Sequence, residues 1–174
     1  FLPYTRQSID EDDIAAVVQV LEGDFLTSGP MVSAFEEKLT QVVGVPFAVG
    51  CSSGTAALHL AALALKLQPG DIVIVPAITF LATANAIRYV GADIAFADVD
   101  DGSGLITAQQ IYQILEKGGK KIKAIFPVHL GGQSPDMAEI HNIATEHDLA
   151  IVEDASHAIG STYSYSQDQN NVGS

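Results

Sequence analysis

Glu153-Asp154-Ala155-Ser156-His157 follows the apolar run Ala150 to Val152 directly, which places a carboxylate and an imidazole at the end of what reads as a central, buried strand. A carboxylate in that setting needs a cation or hydrogen-bond donors, or its charged form is disfavoured. No lysine or arginine lies near it in sequence. Two readings of Asp154 remain: the partner of a protonated ring nitrogen of a cofactor, or a cap on the N-terminus of the next segment. His157 either binds the same ligand or makes a hydrogen bond in the core. Ser53-Gly54-Thr55 opens a helix directly after the apolar run Phe47 to Gly50. Backbone N–H groups, a hydroxyl and the helix dipole can meet one phosphate there, with Gly54 allowing close approach. The same tripeptide also serves as a helix cap with no ligand. It is neither a Walker loop nor a Gly-x-Gly-x-x-Gly turn. Phe80, in the turn Pro76 to Phe80, is a core residue or a platform for a flat ligand.

Other reactive side chains point elsewhere. His129, His157 and Asp154 can be drawn as a metal triad, but nothing in their spacing requires one. His141 and His147 lack the spacing of two ligands on one helical face, so no metal is expected. His59, on the helix after Thr55, reads as structural. Cys51 is the only cysteine, which excludes an internal disulfide and a multi-cysteine metal site.

The elements that must position these groups alternate regularly. Apolar runs at Phe47 to Gly50, Ile72 to Val75, Ile94 to Ala97, Ala124 to Val128 and Ala150 to Val152 read as buried strands. Between them lie amphipathic helices over Thr55 to Leu67, Leu81 to Val90, Thr107 to Lys117 and Pro135 to Glu146. Such alternation predicts the α/β class, a mostly parallel sheet covered on both faces, with Ser53, Phe80, His129 and Asp154 meeting on one rim. Upstream, Ser8-Ile9-Asp10-Glu11 has the form of a capping box for a helix carrying Ile14, Val17, Val18 and Leu21. A second helix runs from Pro30 through Phe35, Leu39 and Val42 to Gly44. The expected organisation is a helical segment over 1–45, an α/β body over 46–160, and the start of a hairpin over 161–174, with its return beginning at Val172.

The 174 residues are 48% hydrophobic and 17% charged, an ordinary globular composition. At this length about 70% of the unfolded chain's surface can be buried. A balance of 8 basic against 21 acidic side chains, net −13, repels nucleic acid and anionic membranes. No stretch approaches the ~18 apolar residues of a membrane span. The start lacks the basic and apolar regions of a signal peptide, so a cytoplasmic protein is expected. After Lys123 the chain holds Asp136, Glu139, Glu146, Asp148, Glu153, Asp154 and Asp168 and no lysine or arginine. That one-sided end, and the absence of an initiator Met, suggest a piece of a longer protein.

Taken together, five motifs in order resemble the DegT/DnrJ/EryC1/StrS sugar aminotransferases, which have the fold-type I architecture of pyridoxal-phosphate (PLP) enzymes. They are Phe25 to Pro30; Ser53-Gly54-Thr55-Ala56-Ala57-Leu58; Pro76 to Phe80 with Ala82 to Ile87; Pro127-Val128-His129-Leu130-Gly131-Gly132; and Glu153 to Ala158. The resemblance implies a truncated three-layer PLP-binding large domain. It makes Ser53, Gly54 and Thr55 the phosphate clamp and Phe80 the ring that stacks on PLP. Asp154 becomes the partner of the pyridinium nitrogen, and His157 a contact to the cofactor's ring face or phenolic oxygen. Tyr4, Thr27 and His129 are implied to face the substrate. The implied reaction moves an amino group from an amino acid, glutamate first, to the C4 ketone of a nucleotide-linked deoxy sugar. The branch most resembled acts on UDP-4-keto-6-deoxy-N-acetylhexosamines on the way to pseudaminic acid, and a homodimer is implied. One departure matters: the family's Schiff-base lysine lies beyond the Asp-x-x-His motif, and this chain has no lysine there. The polypeptide as given is therefore expected to be inactive. The alternatives are a lysine-free PLP sugar dehydratase and a non-catalytic ligand-binding or oligomerising module of the same fold.

Overall fold

The computed structural model describes residues 6–118, 121–165 and 168–172. Two compact units are present: Phe1–Gln41 with Pro46–Gly50, and Val42–Val45 with Cys51–Ser174.

In the first unit α1 spans Glu11–Leu21, and α2, which begins there, runs Pro30–Val43. The expected capping box at Ser8 is corrected. Asp10 is the N-cap, its Oδ1 accepting from the N–H groups of Asp12 and Asp13 while Asp13 Oδ2 accepts from Asp10 N–H, all at 3.1 Å. Both carboxylates reach the free donors of the first turn, and their charge suits the positive end of the helix. The strand expected over Phe47 to Gly50 is also corrected: the segment is unpaired, with Phe47 84% exposed. A strand exists only through its ladder, and Gly50 N–H donates instead to Glu36 Oε1 at 2.7 Å.

The second unit is an α/β body. After α3 (Gly54–Ala64) come β1 (Ile72–Pro76), α4 (Leu81–Tyr89), β2 (Asp93–Ala97), α5 (Ala108–Gly118) and β3 (Ile122–Ile125). A short 3₁₀ turn (Leu130–Gly132), α6 (Met137–His147) and β4 (Ala150–Ile151) follow, then the hairpin β5 (Thr162–Tyr165) and β6 (Asp168–Asn171). The sheet is parallel throughout, in the order β2-β1-β3-β4. In β1 the side chains alternate between faces. Val73 and Val75 pack with Leu58, Ala62, Ala86 and Ile87 of α3 and α4, while Ile74 packs with Ile111, Ile140 and Ile143 of α5 and α6.

Register shifts between β1 and β3 at Ile72/Val73, where Lys123 is the extra residue. That shift lets Ile122 join the second face and Ala124 the first, while Lys123 stays exposed. The strand before Asp154 was expected to be central. β4 instead has two residues and lies at an edge of the described sheet, and its line is continued by a single bridge from Val128 to Asp154. The hairpin returns at Asp168 rather than Val172, because Thr162 pairs with Asn171 and Tyr165 with Asp168.

Candidate active site

Each loop that follows a parallel strand starts at the same rim of the sheet, so the sequence positions after β1, β3 and β4 meet. A cavity of about 320 Å³ lies there, lined by Gly54, Thr55, Leu58, Phe80, Ala82, Val128, His129, Leu130, Asp154, Ser156 and His157.

Asp154 forms its buried polar corner, 5% exposed. Its backbone is fixed on both sides, Asp154 N–H donating to Pro127 O at 2.9 Å and His129 N–H donating to Asp154 O at 3.1 Å. Two hydroxyls supply its side chain: Thr83 Oγ1 donates to Oδ2 at 2.5 Å and Ser156 Oγ to Oδ1 at 2.7 Å. Thr83, fully buried on α4, is itself 2.8 Å from Thr79 Oγ1. Among the described residues no cation lies within ion-pair distance of Asp154. The carboxylate is therefore held by neutral donors, and its charge is left for whatever occupies the cavity.

Opposite in chemistry is the N-terminus of α3. Ser53 caps it, Oγ accepting from Ala56 N–H at 3.2 Å. The cap reading of this residue is thus realised. It leaves the N–H groups of Gly54 and Thr55, which have no acceptor within a helix, at the cavity wall. A methyl group on Gly54 would stand 3.4 Å from Ser156 Oγ, so the helix end and the Asp154 turn lie within van der Waals reach of each other. Phe80, 70% exposed, borders the same space, which favours the platform reading over the core one.

His129 and His157 also line the cavity, His129 fully buried with Nε2 2.7 Å from Glu153 Oε2. Burial first, and the Glu153 charge second, raise the Tyr163 phenol above its usual range. Gly132 holds φ +86°, and a Cβ there would meet His157 O at 3.2 Å, so the turn after β3 needs glycine twice over.

Seven predicted positions are thereby placed: Gly54, Thr55, Phe80, His129, Asp154 and His157 around the cavity, and Ser53 as the cap beside it. Thr27 lies on the exposed bend between α1 and α2 in the other unit, and Tyr4 lies outside the described residues. Among the described residues no three His, Cys, Asp or Glu side chains are grouped to hold a metal. His59 packs edge-on against Tyr89 at 5.3 Å, a structural role. Sequence reasoning missed Thr83 and Ser156 as site residues. Their signals were Thr79 and Thr83 at helical i, i+4 spacing where a helix opens, and a serine two residues after the aspartate in one turn.

Phosphate, aromatic ring and protonated ring nitrogen thus each have a counterpart in this cavity, and the residues fit PLP. Comparison with known proteins agrees. Residues 7–174 match the DegT/DnrJ/EryC1/StrS aminotransferase family. The UDP-4-amino-4-deoxy-L-arabinose–oxoglutarate aminotransferase of Shewanella sediminis is 38% identical over 163 residues, 94% of this chain and 41% of that protein. An aminotransferase from Psychrobacter cryohalolentis superposes with a TM-score of 0.85 at 32% identity, over 92% of this chain and 40% of the other. The PLP form of Spr1654 from Streptococcus pneumoniae gives 0.86 at 31% identity, over 93% and 44%. The chain thus spans about two fifths of the length of these relatives.

Proposed function

The chain belongs to the DegT/DnrJ/EryC1/StrS aminotransferase family, and we propose that the whole protein transfers an amino group from glutamate to the C4 ketone of a UDP-linked sugar, with PLP as cofactor. The observation that carries this reading is Asp154, a buried carboxylate with two hydroxyl donors and no described cation, at the edge of a cavity with a helix N-terminus in its wall.

When bound, PLP supplies an electron sink conjugated to the nitrogen being transferred. Asp154 holds a proton on the ring nitrogen, which keeps that sink electron-poor, and Thr83 and Ser156 fix the carboxylate's orientation. The Gly54 and Thr55 N–H groups would hold the cofactor's phosphate and so fix its position in the cavity. Phe80 covers a ring face and excludes water from it. A lysine must carry the substrate proton in such a reaction. None follows Lys123 in this sequence, so the 174-residue polypeptide alone is proposed to bind PLP weakly and without a covalent bond.

C4 is supported by the Shewanella relative, whose name places an amino group on C4 of a UDP-linked sugar and oxoglutarate as the second participant. Sugar choice separates two forms of the proposal: a 6-deoxy-N-acetylhexosamine of the pseudaminic acid type, or a pentose as in that relative's name. A cytoplasmic homodimer completes the reading. The test is incubation of the whole protein with PLP, glutamate and either UDP-4-keto sugar, with 2-oxoglutarate release measured. Release with one sugar supports the proposal and selects its form. No glutamate-dependent release with either sugar overturns it.

A further inference from the structure

Thr79, half-buried in the loop between β1 and α4, has no role in the reading above. Its Oγ1 stands 2.8 Å from Thr83 Oγ1, which in turn stands 2.5 Å from Asp154 Oδ2. Three side chains thus form one file, from the loop after β1, through the first turn of α4, to the carboxylate at the cavity wall. Thr83, the middle member, is fully buried, so its hydroxyl depends on protein partners. A threonine in a helix divides between two χ1 rotamers, because its hydroxyl can also turn back to a carbonyl three or four residues earlier. The carbonyl three residues before Thr83 is Phe80 O, which already accepts Thr83 N–H at 3.1 Å. A hydroxyl turned toward it takes another staggered position and leaves Asp154. Thr79 opposes that turn twice: its Oγ1 lies beside Phe80 O at 3.3 Å, and it gives Thr83 Oγ1 a second partner in the rotamer that meets Asp154. Either hydroxyl can be the donor between them, and the positions of the oxygens are the same in both cases.

We propose that Thr79 is a positioning residue: its hydroxyl selects the Thr83 rotamer that aims Oγ1 at Asp154, and through Thr83 it holds the carboxylate in place for a ligand in the cavity. The assignment deepens the aminotransferase reading and rests on it for what Asp154 does. The Thr83 rotamer, however, is a property of the ligand-free protein, so the carboxylate is oriented before anything binds. Two substitutions separate hydroxyl from shape. Thr79→Val keeps the branched side chain and removes the hydroxyl, whereas Thr79→Ser keeps the hydroxyl and removes a methyl group.

Whole protein freed of PLP and carrying ¹³C in its threonine methyl groups tests this, the Thr83 resonance being the one lost in Thr83→Val. Three-bond couplings from that methyl carbon to the backbone nitrogen and carbonyl carbon report the rotamer. One rotamer is expected in the unsubstituted protein and in Thr79→Ser, and two in Thr79→Val. With PLP, glutamate and the UDP-4-keto sugar that supports turnover, Thr79→Val lowers kcat by about 3- to 10-fold with KM for glutamate unchanged, and Thr79→Ser restores it. A single Thr83 rotamer in Thr79→Val, a Thr79→Ser variant that behaves as Thr79→Val does, or an unchanged kcat in Thr79→Val overturns the proposal. Absence of amination by the unsubstituted protein, with the rotamers as expected, overturns the reaction and leaves the Thr79 assignment standing.

Discussion

Two regions of this chain have equally regular apolar patterns and opposite outcomes. In the α/β unit the stripes of α3 to α6 find a sheet, and Ile74, Ile87, Ile111, Ile125 and Phe126 are fully buried. In the amino-terminal unit the stripe Ile14, Val17, Val18 and Leu21 of α1 stays exposed, and none of its described residues is buried. Periodicity states which face of a helix repels water, and a partner surface is a separate fact. The α/β unit carries its own partner because crossovers return each helix to the sheet. α1 stands on local terms instead, its cap and its first-turn charges.

The largest expected contrast is catalytic. In the whole protein Asp154→Asn keeps the shape of the Thr83 and Ser156 contacts but removes the charge, and turnover falls by about 10²-fold or more while PLP stays bound. The same assay on Thr27→Ala falls by less, because Thr27 stands on an exposed bend. Equal losses would erase the distinction between the units as site and support. Stability is next. In urea titrations of the 174-residue polypeptide, Ile125→Ala costs about 2–5 kcal/mol, whereas Val17→Ala, 60% exposed, changes stability by less than about 0.5 kcal/mol. A large loss at Val17 would mean that α1's stripe is covered in solution.

A finer test is the cap. Asp10→Ala removes both acceptor contacts at the start of α1 and costs about 1 kcal/mol of helix stability, read by circular dichroism. No change would show α1 held by something other than its own turn. The smallest effect concerns Tyr163. Its phenol is raised, so the unfolded chain gives up that proton first, and stability declines as pH passes about 10. Tyr163→Phe should lack that part of the decline in thermal melts across this range, and an identical decline would remove Tyr163 as its source.

Much of the α/β unit was legible because parallel strands buried on two faces leave unbroken apolar runs, and Pro or Gly follows α3, α4 and α5 closely. Ile72 to Val75 and Leu81 to Val90 were within a residue of β1 and α4 for that reason. Phe47 to Gly50 has the same composition, yet composition cannot supply a neighbour for a ladder. Ser8 and Asp10 both suit a cap, and only the geometry of the first turn decides which side chain reaches the donors. Asp154, Phe80 and the Ser53 to Thr55 turn were legible as chemistry. Thr83 was not, because its hydroxyl matters through a carboxylate 71 positions away in sequence.

The reciprocal main-chain bonds between Pro127, His129 and Asp154 have a bearing on how this site tolerates change. The spacing of its acid and its imidazole is written in peptide groups, which every substitution except proline retains. Side chains at 129 and 154 can therefore be exchanged without moving the scaffold beneath them. Variants at these two positions should differ in reactivity more than in shape, and a new specificity can be reached here by altering functional groups alone.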